Sequence, residues 1–125
     1  MTTTIEQTNS GPGFAHAPDY ALVLEPAVKT YSAVLNDITI ASSDNAIVMR
    51  EGDYPQVIYF PPSDVRLDLA SKTDHSTYCP FKGDASYWSF EGAENIAWSY
   101  QTPYDEMTGI KDYVAFYSDR LDRPV

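Results

Sequence analysis

Between His75 and Trp88 the chain reads HSTYCPFKGDASYW, which gathers its one cysteine, one of its two histidines, a lysine and several aromatic rings into a single stretch. Cys79 stands four residues after His75 and three before Lys82. A thiolate is the reactive form of cysteine, and a neighbouring imidazole or ammonium favours it. The spacing therefore admits an enzyme in which Cys79 or Lys82 is the nucleophile and His75 the base. The competing expectation is a small buried hydrophobe, the usual fate of a free cysteine.

Other chemistries are less well supplied. His75 and Cys79 with Asp74 or Asp84 make an incomplete ligand set, because structural zinc takes four Cys or His and the chain has three such residues in all. No metal and no cofactor is expected. Lys82-Gly83-Asp84 is not a Walker loop, since GxxxxGK is absent. Gly83 would let the backbone approach a ligand, with Lys82 as a point charge for a carboxylate or phosphate. Arg66, Lys72 and Lys82 lie within seventeen positions and leave room for a small anion, although solvated surface charge is the ordinary role of each.

Seventeen residues are Phe, Trp or Tyr. Most must fill a core, but ten tyrosines exceed the hydroxyls that a small core can satisfy, so some should line a cleft. Tyr78, Tyr87, Trp88, Trp98 and Tyr117 are the candidate walls, with Asp64, Arg66, Lys82 and Asn95 as polar contacts.

A net charge of −10 and a pI near 4.3 argue against a nucleic-acid or anionic-membrane partner, since affinity for such polyanions comes from Lys and Arg. No run approaches the roughly 20 apolar residues that cross a bilayer, and the polar start after Met1 lacks a secretion pattern. The expected compartment is the cytoplasm.

The elements that must position these residues are strands. Residues 1–18 contain no Lys or Arg and carry Gly11, Pro12, Gly13 and Pro18, which predicts a flexible tail before a single β domain over 19–125. Pro26 confines 21–27 to a sheet edge or an irregular lead-in. Tyr31–Leu35 and Ile38–Ala41 should form a hairpin about Asn36-Asp37, followed by strands at Ala46–Arg50 and Gln56–Phe60. Asp64–Leu69 alternates strictly and predicts a half-buried strand. Ser86–Phe90, Ile96–Tyr100 and Tyr113–Tyr117 complete the set, the last two apolar on both faces, and a helical turn is placed near Tyr104–Thr108. Two-sided burial predicts a small antiparallel sandwich or barrel.

YFPPSDV at 59–65, TYCPFKGDASYWS at 77–89, NIAWSY at 95–100 and IKDYVAFYSDR at 110–120, in that order, resemble the domain of unknown function 427 family, also catalogued as nucleotidyltransferase-like. The resemblance covers about 31–122. It implies a small all-β domain similar to the β-tent of methionine sulfoxide reductase B and the cereblon ligand-binding domain. Those relatives hold zinc with paired cysteines, which this chain lacks, so the implied fold is zinc-free and their metal and activity do not carry over. A nucleotidyltransferase Asp-x-Asp pair is also missing, Asp64 and Asp68 being four apart. The leading expectation is a module that binds a small planar or anionic ligand in an aromatic cleft. The alternatives are an enzyme, nucleotidyltransferase-like or based on Cys79, and a protein-interaction module.

Overall fold

The computed structural model describes residues 9–125. A single helical turn, α1 (Gly13–His16), precedes nine strands: β1 (Leu22–Pro26), β2 (Tyr31–Leu35), β3 (Ile38–Ser43), β4 (Ile47–Glu51), β5 (Val57–Tyr59), β6 (Ala70–Cys79), β7 (Gly83–Phe90), β8 (Ala93–Ser99) and β9 (Val114–Phe116). Every named pairing is antiparallel, in sheets ordered β1-β4-β5, β2-β3 and β6-β7-β8-β9. Just past β5, Phe60 exchanges backbone hydrogen bonds of 2.7 and 2.8 Å with Val114 and so joins the first sheet to the last. With β1 and β6 left as outer strands, the sheets stay open rather than closing into a barrel. No helix among the described residues is long and apolar enough to cross a membrane.

The hairpin β2–β3 turns on Asn36 and Asp37, whose φ values of 52° and 64° are the left-handed conformation a two-residue hairpin turn demands. Both of their N–H groups donate to the Asp122 carboxylate at 2.8 Å, which ties the C-terminal segment to this turn and holds that carboxyl below its ordinary range. Pro26 sits in an edge strand, where its missing donor interrupts no ladder.

Successive residues of β4, β5 and β9 serve two different cores. Val48, Ile58, Val114 and Phe116 pack with Ile40, Phe60, Phe90 and Ile96, while Met49, Tyr59 and Ala115 pack with Ala85, Tyr87, Tyr100 and Ile110. The second core is roofed by a 3-10 helical segment (Asp105–Ile110) through Met107 and Ile110. Strand alternation thus yields two apolar faces instead of one apolar and one wet face.

Three expectations are corrected. Asp64–Leu69 is no strand: Pro62–Asp64 and Leu67–Leu69 are 3-10 turns, closed by Asp64 N–H to Pro61 C=O at 2.9 Å and Leu69 N–H to Arg66 C=O at 3.0 Å. Prolines at 61 and 62 favour that turn, and only Val65 bridges to a strand, at Ala41. Strands resume well before the expected Ser86, and the stretch 75–88 lies in a hairpin, β6–β7. β6 carries no apolar alternation because it is a largely exposed edge strand, ordered by its ladder to β7. Finally, of the expected tail, residues 1–8 lie outside the described residues, but Asn9–Pro18 packs on the domain. Gly13 N–H donates to Pro80 C=O at 3.0 Å, Asn9 N–H to Asp105 at 2.6 Å and Gly11 N–H to Glu106 at 2.9 Å.

Candidate functional site

Where β4, β5, β8 and β9 meet, a cleft of about 520 Å³ opens. Met49, Val57, Trp98, Phe116 and Tyr117 form its walls, Glu51 closes one side, and Tyr54, Pro55, Gln56, Ser118 and Asp119 make its rim. The β4–β5 connection shapes the rim: Gly52 adopts φ 51° and Tyr54 N–H returns to Glu51 C=O at 2.9 Å, which reverses the chain over the opening.

Trp98 faces the cleft because its β8 neighbour Ala97 faces the first core. Its indole N–H donates to the Tyr59 hydroxyl at 3.3 Å, the two rings perpendicular with centroids 6.4 Å apart. Tyr117 also packs on the indole, with ring centroids 4.6 Å apart and the planes tilted by 46°. The Tyr117 hydroxyl reaches that of Tyr87 at 3.3 Å, and Tyr87 reaches Thr77 Oγ1 at 2.9 Å. Burial and the bond to Tyr87 push the Tyr117 phenol up to about 12, and burial raises the Tyr59 phenol as well, so both are neutral near pH 7.

Glu51 is the charged member of the wall. Lys82 Nζ donates to Glu51 Oε1 at 2.7 Å, and the Tyr20 hydroxyl donates to Oε2. Burial alone would raise the Glu51 carboxyl, but the bonds from Lys82 and Tyr20, with the Lys82 charge, outweigh it and hold the group below its ordinary value. The same contact pushes the Tyr20 phenol up to about 12. Phe81 stacks on Tyr20 with centroids 4.0 Å apart, and Phe14 meets Phe81 edge-on at 4.9 Å. The N-terminal segment, the β6–β7 turn and the end of β4 are therefore clasped together behind the cleft.

Of the residues singled out in the sequence, Trp98 and Tyr117 line the cleft and Tyr87 supports Tyr117 from behind. Lys82 reaches the cleft only through Glu51, so its charge is already engaged. Gly83 adopts φ 114° at the hairpin turn, where a Cβ would sit 3.4 Å from Thr102 C=O; it serves chain reversal. Tyr78 turns outward, its hydroxyl bonded to that of Tyr104 at 2.7 Å.

Four more of these residues lie away from the cleft. Trp88 occupies the opposite face of β7, packs on the first core and carries Lys72 Nζ over its ring at 5.8 Å. Asn95 lies within β8 at the irregularity of its pairing with β7, adopts φ 53° and accepts from Thr73 Oγ1 at 2.6 Å. Asp64 lies in a 3-10 turn, and Arg66 closes a local two-bond pair with Asp68 at 2.8 and 2.9 Å.

The proposed nucleophile lacks its partners. His75 and Cys79 share one extended strand, so four residues separate them by about 13 Å, and the His75 ring packs on Tyr87 at 4.4 Å instead. Cys79 is half-buried at the end of β6, paired with Gly83. Among the described residues no group of three His, Cys, Asp or Glu side chains converges to hold a metal.

Glu51, Tyr54, Tyr59 and Asp119 were missed. In the sequence Glu51 precedes Gly52-Asp53 and resembles any solvated turn charge; only its burial against Lys82 distinguishes it.

Open antiparallel sheets, two cores and a cleft walled by Trp98, Phe116 and Tyr117 define a small all-β domain with a ligand-sized concavity. The family described as Domain of unknown function (DUF427) matches residues 23–125, and the chain belongs to that family. Comparison with curated proteins found no match.

Proposed function

We propose that the domain is a binding module for a small planar molecule, held in the cleft between the β4–β5 turn and the end of β9. The observation that carries this reading is the Trp98–Tyr117 wall beside a concavity of about 520 Å³, within the range of small-ligand pockets. The tilted rings leave π-surface for a flat group, while Tyr59 and Tyr87 fix both rings from behind and reduce the ordering that binding must impose.

The enzyme readings have less support. Cys79 has neither His75 nor a free Lys82 beside it, and Asp64, Arg66 and Asp68 form a self-contained turn away from the cleft. The anionic ligand is also disfavoured, because Lys82 is spent on Glu51.

A collection of small planar fragments, titrated while the two indole N–H signals are followed by NMR, tests the reading. Binding should shift Trp98 and spare Trp88, and Tyr117→Ala should weaken it at least about ten-fold, the loss expected for one stacked aromatic wall. Absence of any hit at millimolar fragment, or hits indifferent to Tyr117→Ala, would refute it.

A further inference from the structure

We infer that the cleft selects an organic cation: a planar or compact group bearing a positive charge, such as an aromatic ammonium or pyridinium. This deepens the binding-module reading and rests on it. The lining contains two carboxylates, Glu51 and Asp119, and no Lys, Arg or His. Lys82, the cation behind Glu51, is held at 2.7 Å and does not line the space. A carboxylate offers about four acceptor sites, of which Lys82 and Tyr20 occupy two on Glu51, so acceptor capacity remains on this lining residue.

The aromatic walls favour the same charge. Trp98 and Tyr117, their ring centroids 4.6 Å apart and tilted by 46°, form one electron-rich wall, and Tyr54, 70% exposed, stands on the rim. A cation over such faces is attracted by the ring quadrupole, most strongly at Trp and when partly desolvated. An anion would meet the same faces and two carboxylates with repulsion, in a chain of net charge −10. A bare metal ion fits poorly, since hard cations require about six oxygen ligands whereas Met49, Val57 and Phe116 make much of this wall apolar.

Three monocyclic aromatic probes of different charge decide the matter: N-methylpyridinium, its neutral isostere toluene, and benzoate, titrated separately against the intact domain by NMR. N-methylpyridinium should bind at least about five-fold tighter than toluene, the ratio one cation–π contact supplies, and benzoate weakest. Asp119→Asn, an exposed substitution that leaves the Glu51–Lys82 pair in place, should narrow the ratio between pyridinium and toluene. Equal or tighter binding of toluene or benzoate, or a ratio unmoved by Asp119→Asn, overturns the charge preference while leaving a planar-ligand module standing. If none of the three binds but other planar fragments do, the cation inference alone falls. Failure of every fragment as well removes the binding-module reading with it.

Discussion

Lys82 and Glu51 expose only 13% and 19% of their side chains, so each depends on the other to remain charged in a half-dry setting. Lys82→Met should cost about 2–4 kcal/mol, because it strands a part-buried carboxylate rather than merely deleting a surface pair. The pH dependence has a definite sign. Glu51 is held below the 4.5 of an unfolded chain, so its contribution is complete above that value and disappears as pH falls through the lower folded value. Urea titrations should therefore show the gap between wild type and Lys82→Met closing as pH drops below 4.5; a gap constant down to acid would show that the pair is not what the substitution removed. At Cys79 the separation along β6 keeps the His75 imidazole away from the sulfur. His75→Ala should leave the rate of iodoacetamide alkylation unchanged within about two-fold, since about 13 Å of strand prevents the imidazole from reaching the sulfur. A ten-fold slowing would restore the nucleophile.

At the scale of elements, the segment Asn9–Pro18 behaves as a clasp rather than a tail. It closes on the β6–β7 turn through Gly13 and Phe14 and on the 3-10 segment at Asp105–Ile110 through Asn9, Ser10 and Gly11. Removing residues 1–18 should lower unfolding free energy by about 2 kcal/mol, the sum of a few part-buried hydrogen bonds and one aromatic contact, measured by chemical denaturation. A loss under about 0.5 kcal/mol, the range of ordinary surface changes, would mean that the clasp contributes nothing. Gly13→Ala tests the same contact locally, because its Cβ would lie 2.7 Å from the Phe81 ring. It should cost about 1 kcal/mol through overpacking. Sequence reading could not see this docking: Asn9, Gly11 and Gly13 dock through backbone N–H groups, and hydropathy patterns do not register backbone donors. β6 was hidden for a related reason, as an exposed edge strand owes its order to a neighbour's ladder and not to its own side chains.

Across the whole molecule, tyrosine ionisation is linked to folding. Unfolded tyrosines titrate near 10.0, whereas Tyr20 and Tyr117 are pushed up to about 12 and the buried Tyr59 and Tyr100 higher than usual. A raised phenol stabilises the fold below the unfolded value and ceases to do so as pH climbs through the folded one. Stability should thus fall between about pH 10 and 12, with the last part of the tyrosinate absorbance, from the buried phenols, appearing together with loss of near-ultraviolet circular dichroism. Tyrosinate formed fully at pH 10.5 in a still-folded protein would contradict the buried, hydrogen-bonded network.

Local chemistry in the sequence determined much of the β framework. Asn36-Asp37 fixes a hairpin wherever it stands between strand formers, Pro26 permits only an edge, and the two-sided apolar pattern of Ile96–Tyr100 and Tyr113–Tyr117 requires cover on both faces. Family membership was legible too, in the motifs around Pro61, Cys79, Trp98 and Phe116. Tertiary structure alone decided which side chains share a space. Tyr87 and Trp88 are adjacent in sequence yet occupy opposite faces of one strand, and His75 and Cys79 are too far apart along theirs to act together. Glu51 and Lys82 are 31 positions apart and touch. Strand geometry separates neighbours by face and by rise, and long-range pairing brings distant residues together. The cleft depends on that pairing, which no local pattern encodes.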